Sequence, residues 1–172
     1  RAAGARGILG ALGELVPEVL ARHRVRRIGI GFGGPVDAAR GRVLRSHQIG
    51  GWDGFPLTRW AERRFGLPAR LENDSNLAGL AEARHGAGRG YGRVFYFNVG
   101  TGIGGAFLLD GEICQGRFGG GEFGHTRILK LGNAGARPCR RNCPTLESVA
   151  SGLAIERGRC TVAAAAAWVG AG

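Results

Sequence analysis

The sequence predicts an α/β protein, and three stretches predict it. Residues 7–22 place apolar side chains at helical spacing, then an apolar run at 27–32 ends in Gly33-Gly34-Pro35. Residues 68–71 read as a strand that delivers Glu72 to Asn76 into a following helix. Residues 93–114 read as strand, glycine loop, strand and hairpin. Helices alternating with buried strands through glycine-rich turns are the grammar of α/β folds.

Each element has a local reason. Ile8, Leu12, Leu15, Val16, Val19 and Leu20 form the stripe of the first helix, and Pro17 is expected to kink it or to start a second piece. Residues 36–43 hold turn-forming Asp37 and Gly41 and predict a small hairpin. Residues 57–65 predict an amphipathic helix closed by Gly66 as its C-terminal cap. Asp74 or Ser75 is the expected N-cap of the next helix, with Leu77, Leu80, Ala81 and Arg84 spaced along it. A flexible loop is expected at Gly86–Gly90. Val94–Val99 then predicts a strand, residues 100–105 a tight loop, Ala106–Leu109 a second strand, and Asp110-Gly111 a hairpin turn into residues 112–114. A second glycine cluster spans residues 119–125, residues 145–157 are helical in pattern, and residues 163–172 are low in complexity.

Composition narrows the function. The 172 residues carry 24 basic and 13 acidic side chains, a net charge of +11. Lys130 is the only lysine, so arginine supplies the rest. Surfaces built for phosphate usually mix lysine with arginine. The arginines are also scattered, without an aromatic-interleaved basic run. The charge therefore argues against nucleic acid and for an arginine-biased proteome. No apolar stretch approaches the roughly 20 residues of a membrane span, and no signal-peptide layout opens the chain. Four cysteines, Cys114, Cys139, Cys143 and Cys160, are too few for a disulfide scaffold, so a cytoplasmic location is expected. The chain has no methionine, which suggests a fragment.

Three groups of residues could carry chemistry. Gly100, Thr101, Gly102, Gly104 and Gly105 lie between two strands, where glycines bring backbone N–H groups close to an anion. The run lacks the lysine of a P-loop and the following helix of a dinucleotide fingerprint, so an ordinary hairpin would also explain it. Asp74 stands where a strand meets a helix, the place where α/β sheets put ligands. It could accept a proton from an attacking hydroxyl or merely cap the helix, and Asn73 and Asn76 beside it suit a polyol. Glu122, His125 and Glu147 offer acceptors and a donor for sugar hydroxyls. His125 with Cys139 and Cys143 has the ligand types of zinc, but only three ligands, with Arg140 and Arg141 opposing a cation.

In combination these segments resemble the ROK family of repressors, open reading frames and kinases. The matching pieces run in order: GIGFGGPVD (29–37), GRV (41–43) with a serine after it at 46, GWDGFPL (51–57), FGLPARLENDSN (65–76), GAGRG (86–90), NVGTGIGGAFLLDG (98–111), GGGEFGH (119–125) and LESVASGLAI (146–155). The resemblance covers about residues 25–155 and leaves 156–172 as an undefined tail of a partial domain spanning 1–172. It implies a partial, two-lobed actin-like ATPase (ribonuclease H-like) fold. It also implies an ATP- and Mg2+-dependent kinase acting on the 6-hydroxyl of a hexose such as glucose.

Carried over by position, Asp74 matches the catalytic base. Asn73, Asp74, Glu122, His125 and Glu147 match the substrate-binding residues, and Gly100, Thr101, Gly102, Gly104 and Gly105 match a phosphate-binding motif. Many members hold zinc through a cysteine run, but here PCRRNCPTLE places Thr145 where the last cysteine would be, which implies a zinc-less branch. The family's opening Asp-x-Gly-Gly-Thr motif and its downstream adenosine-binding segments do not match. The chain is therefore expected to be the middle of a kinase, inactive by itself. Family members are often homodimers. Two alternatives are the sugar-binding effector domain of a ROK repressor and a catalytically inactive sugar-binding protein; retention of Asp74 and the glycine loop favours the kinase.

Overall fold

A computed structural model describes residues 4–46, 48–116, 121–128 and 143–158. The elements alternate as an α/β chain should, and they fall into two compact units, residues 1–77 and 78–172.

In the first unit, α1 (Gly4–Arg22) precedes β1 (Ile28–Phe32). The hairpin strands β2 (Val36–Asp37) and β3 (Arg42–Val43) follow, then α2 (Leu57–Phe65) and β4 (Ala69–Asn73). β1 and β4 are parallel, in register from Ile28 opposite Ala69 to Phe32 opposite Asn73. Parallel pairing requires a crossover, and α2 lies within it. Both strands therefore end together, setting the Gly33-Gly34 turn beside Asn73. The core is Ala5, Val43, Trp52, Leu57 and Leu71, with Phe32 and Phe55 packed against it. Trp52 meets both rings edge-on, at 5.4 Å from Phe32 and 5.5 Å from Phe55, the arrangement the ring quadrupole favours. Gly66 caps α2 in the left-handed conformation, as its position predicts.

Helix α3 (Asp74–His85) runs from the first unit into the second. There β5 (Arg93–Val99), β6 (Ile103–Leu109) and β7 (Glu112–Ile113) form an antiparallel sheet in that order. Ala83 of α3 joins Ala106 and Leu108 in a core flanked by Leu80, Val94 and Tyr96. Gly79 permits this packing, since a Cβ there would stand 2.6 Å from that of Ala106. A short 3-10 turn (Phe123–His125) and two short helices, α4 (Leu146–Ala150) and α5 (Gly152–Glu156), complete the unit.

Four expectations give way. α1 continues through Pro17 as one helix instead of starting a second piece. Gly86–Gly90 is a hydrogen-bonded turn: the Gly86 and Gly88 N–H groups donate to Glu82 O, and that of Ala87 to Glu82 Oε2. The second strand of the hairpin begins at Ile103 instead of Ala106, so Gly104 and Gly105 belong to β6. Residues 145–157 form two helices, because Ser151 is extended (φ −74°, ψ 163°) and its hydroxyl accepts from Ala154 N–H. His47, residues 119–120, Cys139, Cys160 and the tail from residue 159 lie outside the described residues.

Candidate functional site

The ends of β1 and β4 build the first set of candidate groups. The Asn73 side chain works in both directions. Its Oδ1 accepts the Asn76 N–H at 3.1 Å, and its Nδ2 donates to Gly34 O at 3.1 Å. Asn73 is therefore the cap of α3, and Asp74 and Ser75, the expected caps, are not. A close approach beneath completes the corner. A Cβ on Gly31 would stand 3.2 Å from Leu77 Cδ1 and 3.8 Å from Asp74 Cα, so the small residue lets α3 start against β1.

Asp74 is thereby released from capping. Its Oδ1 accepts the neighbouring Ser75 N–H at 2.8 Å, and Oδ2 faces Gly33, where a Cβ would stand 3.3 Å away. The carboxylate is exposed at the first position of α3, where the helix dipole favours negative charge. It can accept a proton from a hydroxyl brought to the Gly33 turn.

Sequence reasoning missed Glu72 as part of this corner and read Asn76 as a group for a polyol, whereas Asn76 is buried against Glu72. Glu72 Oε1 accepts both the Asn73 N–H at 2.9 Å and Asn76 Nδ2 at 3.0 Å. The available signal was the helical spacing of Glu72 and Asn76, four residues apart. In the neighbouring hairpin, Arg40 holds the Asp37 carboxyl below the usual carboxylate range, first through its side-chain hydrogen bond and then through its backbone N–H.

The second unit gathers the remaining predicted residues around the start of β6. Gly100 N–H donates to Gly102 O at 2.8 Å, which closes the turn with Thr101 exposed at its tip. Glu147 of α4 reaches this turn, its Oε2 accepting the Ile103 N–H at 2.8 Å. Gly152 N–H donates to Gly100 O at 2.7 Å. The 3-10 turn packs on the same place. A Cβ on Gly124 would overlap Ile103 O, and one on Gly105 would stand 2.7 Å from the Phe123 ring. Gly105 thus makes room for Phe123, while Gly100 and Gly102 shape the turn. Glu122 and His125 flank Phe123 and Gly124, with Glu122 Oε2 3.5 Å from His125 Nε2 and both side chains about half exposed. A cavity of about 190 Å³ beside the turn is lined by Thr101, Glu147, Ser148, Ser151, Leu153 and Arg157, among others. Such a hollow offers hydroxyls, one guanidinium and a carboxylate to a polar ligand.

Among the described residues, no three histidine, cysteine or acidic groups converge as a metal site. Cys139 of the considered zinc set lies outside them. No helix among them is long and apolar enough to cross a membrane.

Comparison with known proteins gives the chain a family. The ROK family model matches residues 3–164. A glucokinase of Thermotoga maritima is 36% identical over 158 residues, 90% of this chain and 48% of its own length. A ROK hexokinase from Thermus thermophilus superposes with a TM-score of 0.70 at 39% identity, over 90% of this chain and 51% of that one. A ROK family glucokinase from Streptomyces griseus, solved with glucose and AMPPNP, gives a TM-score of 0.73 at 37% identity, over 90% and 49%. The chain spans about half the length of these relatives.

Proposed function

Because the chain belongs to the ROK family, we propose that the full-length gene product is a cytoplasmic, ATP-dependent sugar kinase that phosphorylates the 6-hydroxyl of a hexose such as glucose. The observation that carries this reading is the freed carboxylate of Asp74. Asn73 takes over the capping that would otherwise explain an aspartate at this position. The kinship with glucokinases supports the choice of reaction and of sugar class.

Asp74 accepts the proton of the sugar hydroxyl as its oxygen attacks the γ-phosphorus. The new O–P bond forms while the bond to the leaving ADP oxygen breaks, and the proton ends on the carboxylate. Gly100, Thr101 and Gly102 present backbone to the phosphates, with Gly104 and Gly105 setting the strand behind them. Glu122, His125 and the second oxygen of Glu147 bind sugar hydroxyls. The Asn73 amide, already bonded to Asn76 and Gly34, orients the corner that bears Asp74 and offers a polar group to a sugar hydroxyl at that corner. Mg2+ neutralises phosphate charge when bound.

The test is Asp74→Asn in the full-length product. Sugar-dependent ADP release is expected to fall by about 10²–10⁴-fold, while glucose still raises the melting temperature. Unchanged turnover would remove the assignment. A wild-type protein that binds sugar but never releases ADP would instead fit a sugar-sensing regulator.

A further inference from the structure

The sugar-side residues and the glycine turn meet at one backbone residue, Ile103. Its N–H is held by Glu147 Oε2 at 2.8 Å. Its carbonyl oxygen lies so close to Gly124, between Phe123 and His125, that a Cβ there would overlap it. The other end of the turn is fastened too, since Gly152 N–H donates to Gly100 O at 2.7 Å. A Cβ on Gly152 would stand 2.6 Å from that oxygen, and a Cβ on Gly102 would overlap the Glu147 carboxylate. Glu147 and Gly152 are themselves joined through Ser151, whose N–H donates to Glu147 O at 3.2 Å. The α4–α5 junction is thus a two-point clip across residues 100–103.

We propose that Glu147 is a positioning residue for the glycine turn as well as a sugar ligand, so that hexose and nucleotide bind with positive coupling. This rests on the kinase reading above. Only Oε2 of Glu147 is engaged among the described residues, which leaves Oε1 for a sugar hydroxyl. A hexose on Oε1 fixes the carboxylate, the carboxylate fixes Ile103 N–H, and the turn is held in the shape the phosphates meet. Ordering contributed by the first ligand need not be repeated for the second, and such coupling is reciprocal. The adjacent Glu122–His125 turn bears on the same residue, so sugar contacts there add to the effect.

The test measures binding of glucose and of a non-hydrolysable ATP analogue to the full-length product, each alone and with the other present. Wild type is expected to bind the analogue about 5-fold or more tightly with glucose saturating. Gly102→Ala pushes the Glu147 carboxylate aside without altering its chemistry. It is expected to weaken glucose binding in the absence of nucleotide and to abolish the coupling. Gly10→Ala adds a methyl in α1, outside the site, where nothing lies within 4 Å, and should leave both glucose affinity and the coupling unchanged.

If Gly102→Ala fails to fold, Glu147→Gln replaces it. Its carboxamide oxygen still accepts from Ile103 N–H, so coupling should persist while glucose binds more weakly. Wild-type glucose affinity and coupling in Gly102→Ala, or loss of coupling in a folded Glu147→Gln, would overturn the positioning role alone. A wild-type protein that binds neither ligand would overturn the kinase reading itself.

Discussion

At Asn73, one amide satisfies two backbone segments, the start of α3 and the Gly34 turn. Its oxygen caps α3 and its nitrogen holds Gly34 O. Loss of a cap costs about 1 kcal/mol, and loss of one further hydrogen bond about the same. Asn73→Ala is therefore expected to lower stability by about 2 kcal/mol, read as a lower urea midpoint at constant slope. An unchanged midpoint would mean that the cap is dispensable. A second residue-scale expectation concerns Asp37, whose carboxyl is depressed chiefly by the Arg40 side-chain hydrogen bond. The sign follows from the depression: the contribution is present above the unfolded pKa and is lost as pH falls through the folded value. NMR should find Asp37 titrating below an ordinary aspartate, and Arg40→Ala should return it upward. An Asp37 titration unmoved by Arg40→Ala would separate the pair.

Element scale shows how a sequence conflict is resolved in space. Pro17 has no N–H for the carbonyl of Gly13, four residues earlier, yet α1 continues. Arg64 of α2 supplies the missing donor, its Nη2 lying 3.2 Å from Gly13 O. Pro17→Ala would return an intrahelical partner to that carbonyl. Arg64→Ala should then cost about 1 kcal/mol less in the Pro17→Ala background than in wild type. Equal costs in a double-mutant cycle would show that the bond contributes nothing.

The same scale explains what could be read in advance. Gly66 was legible as a cap because a glycine after a strongly amphipathic run has few other uses. Asn73, Asp74 and Ser75 are all good capping types, so composition could not choose among them; the Gly34 carbonyl, distant in sequence, made the choice. The strand start at Ile103 was hidden because Gly104 and Gly105 have no side chains to show alternation. The break at Ser151 was masked by apolar spacing that runs on through LESVASGLAI, although the Ser151-Gly152 pair was its signal. The candidate residues could be picked out by type and order. Their bonds were not, since Glu147 and Ile103 are 44 positions apart.

Over the whole molecule, net charge and one bare sheet face oppose each other. Phe95, Phe97 and Val99 alternate along β5 and stay about half exposed, and among the described residues β5 is the edge of its sheet. Phe123 meets Phe95 at 4.5 Å, while Phe97 and Val99 stay about half exposed. A long apolar edge strand is a template for pairing with another chain. The charge of +11 keeps copies of this chain apart at low ionic strength, where repulsion acts over tens of ångströms. Salt shortens that reach to about 3 Å at 1 M, while hydrophobic contact is not screened. The 172-residue chain is thus expected to sediment as a monomer in about 10 mM salt and to associate as salt approaches 1 M. Phe97→Lys adds charge at the centre of the stripe and should hold the chain monomeric throughout. Association that weakened with salt would assign it to charge pairs instead, and association untouched by Phe97→Lys would move it away from β5.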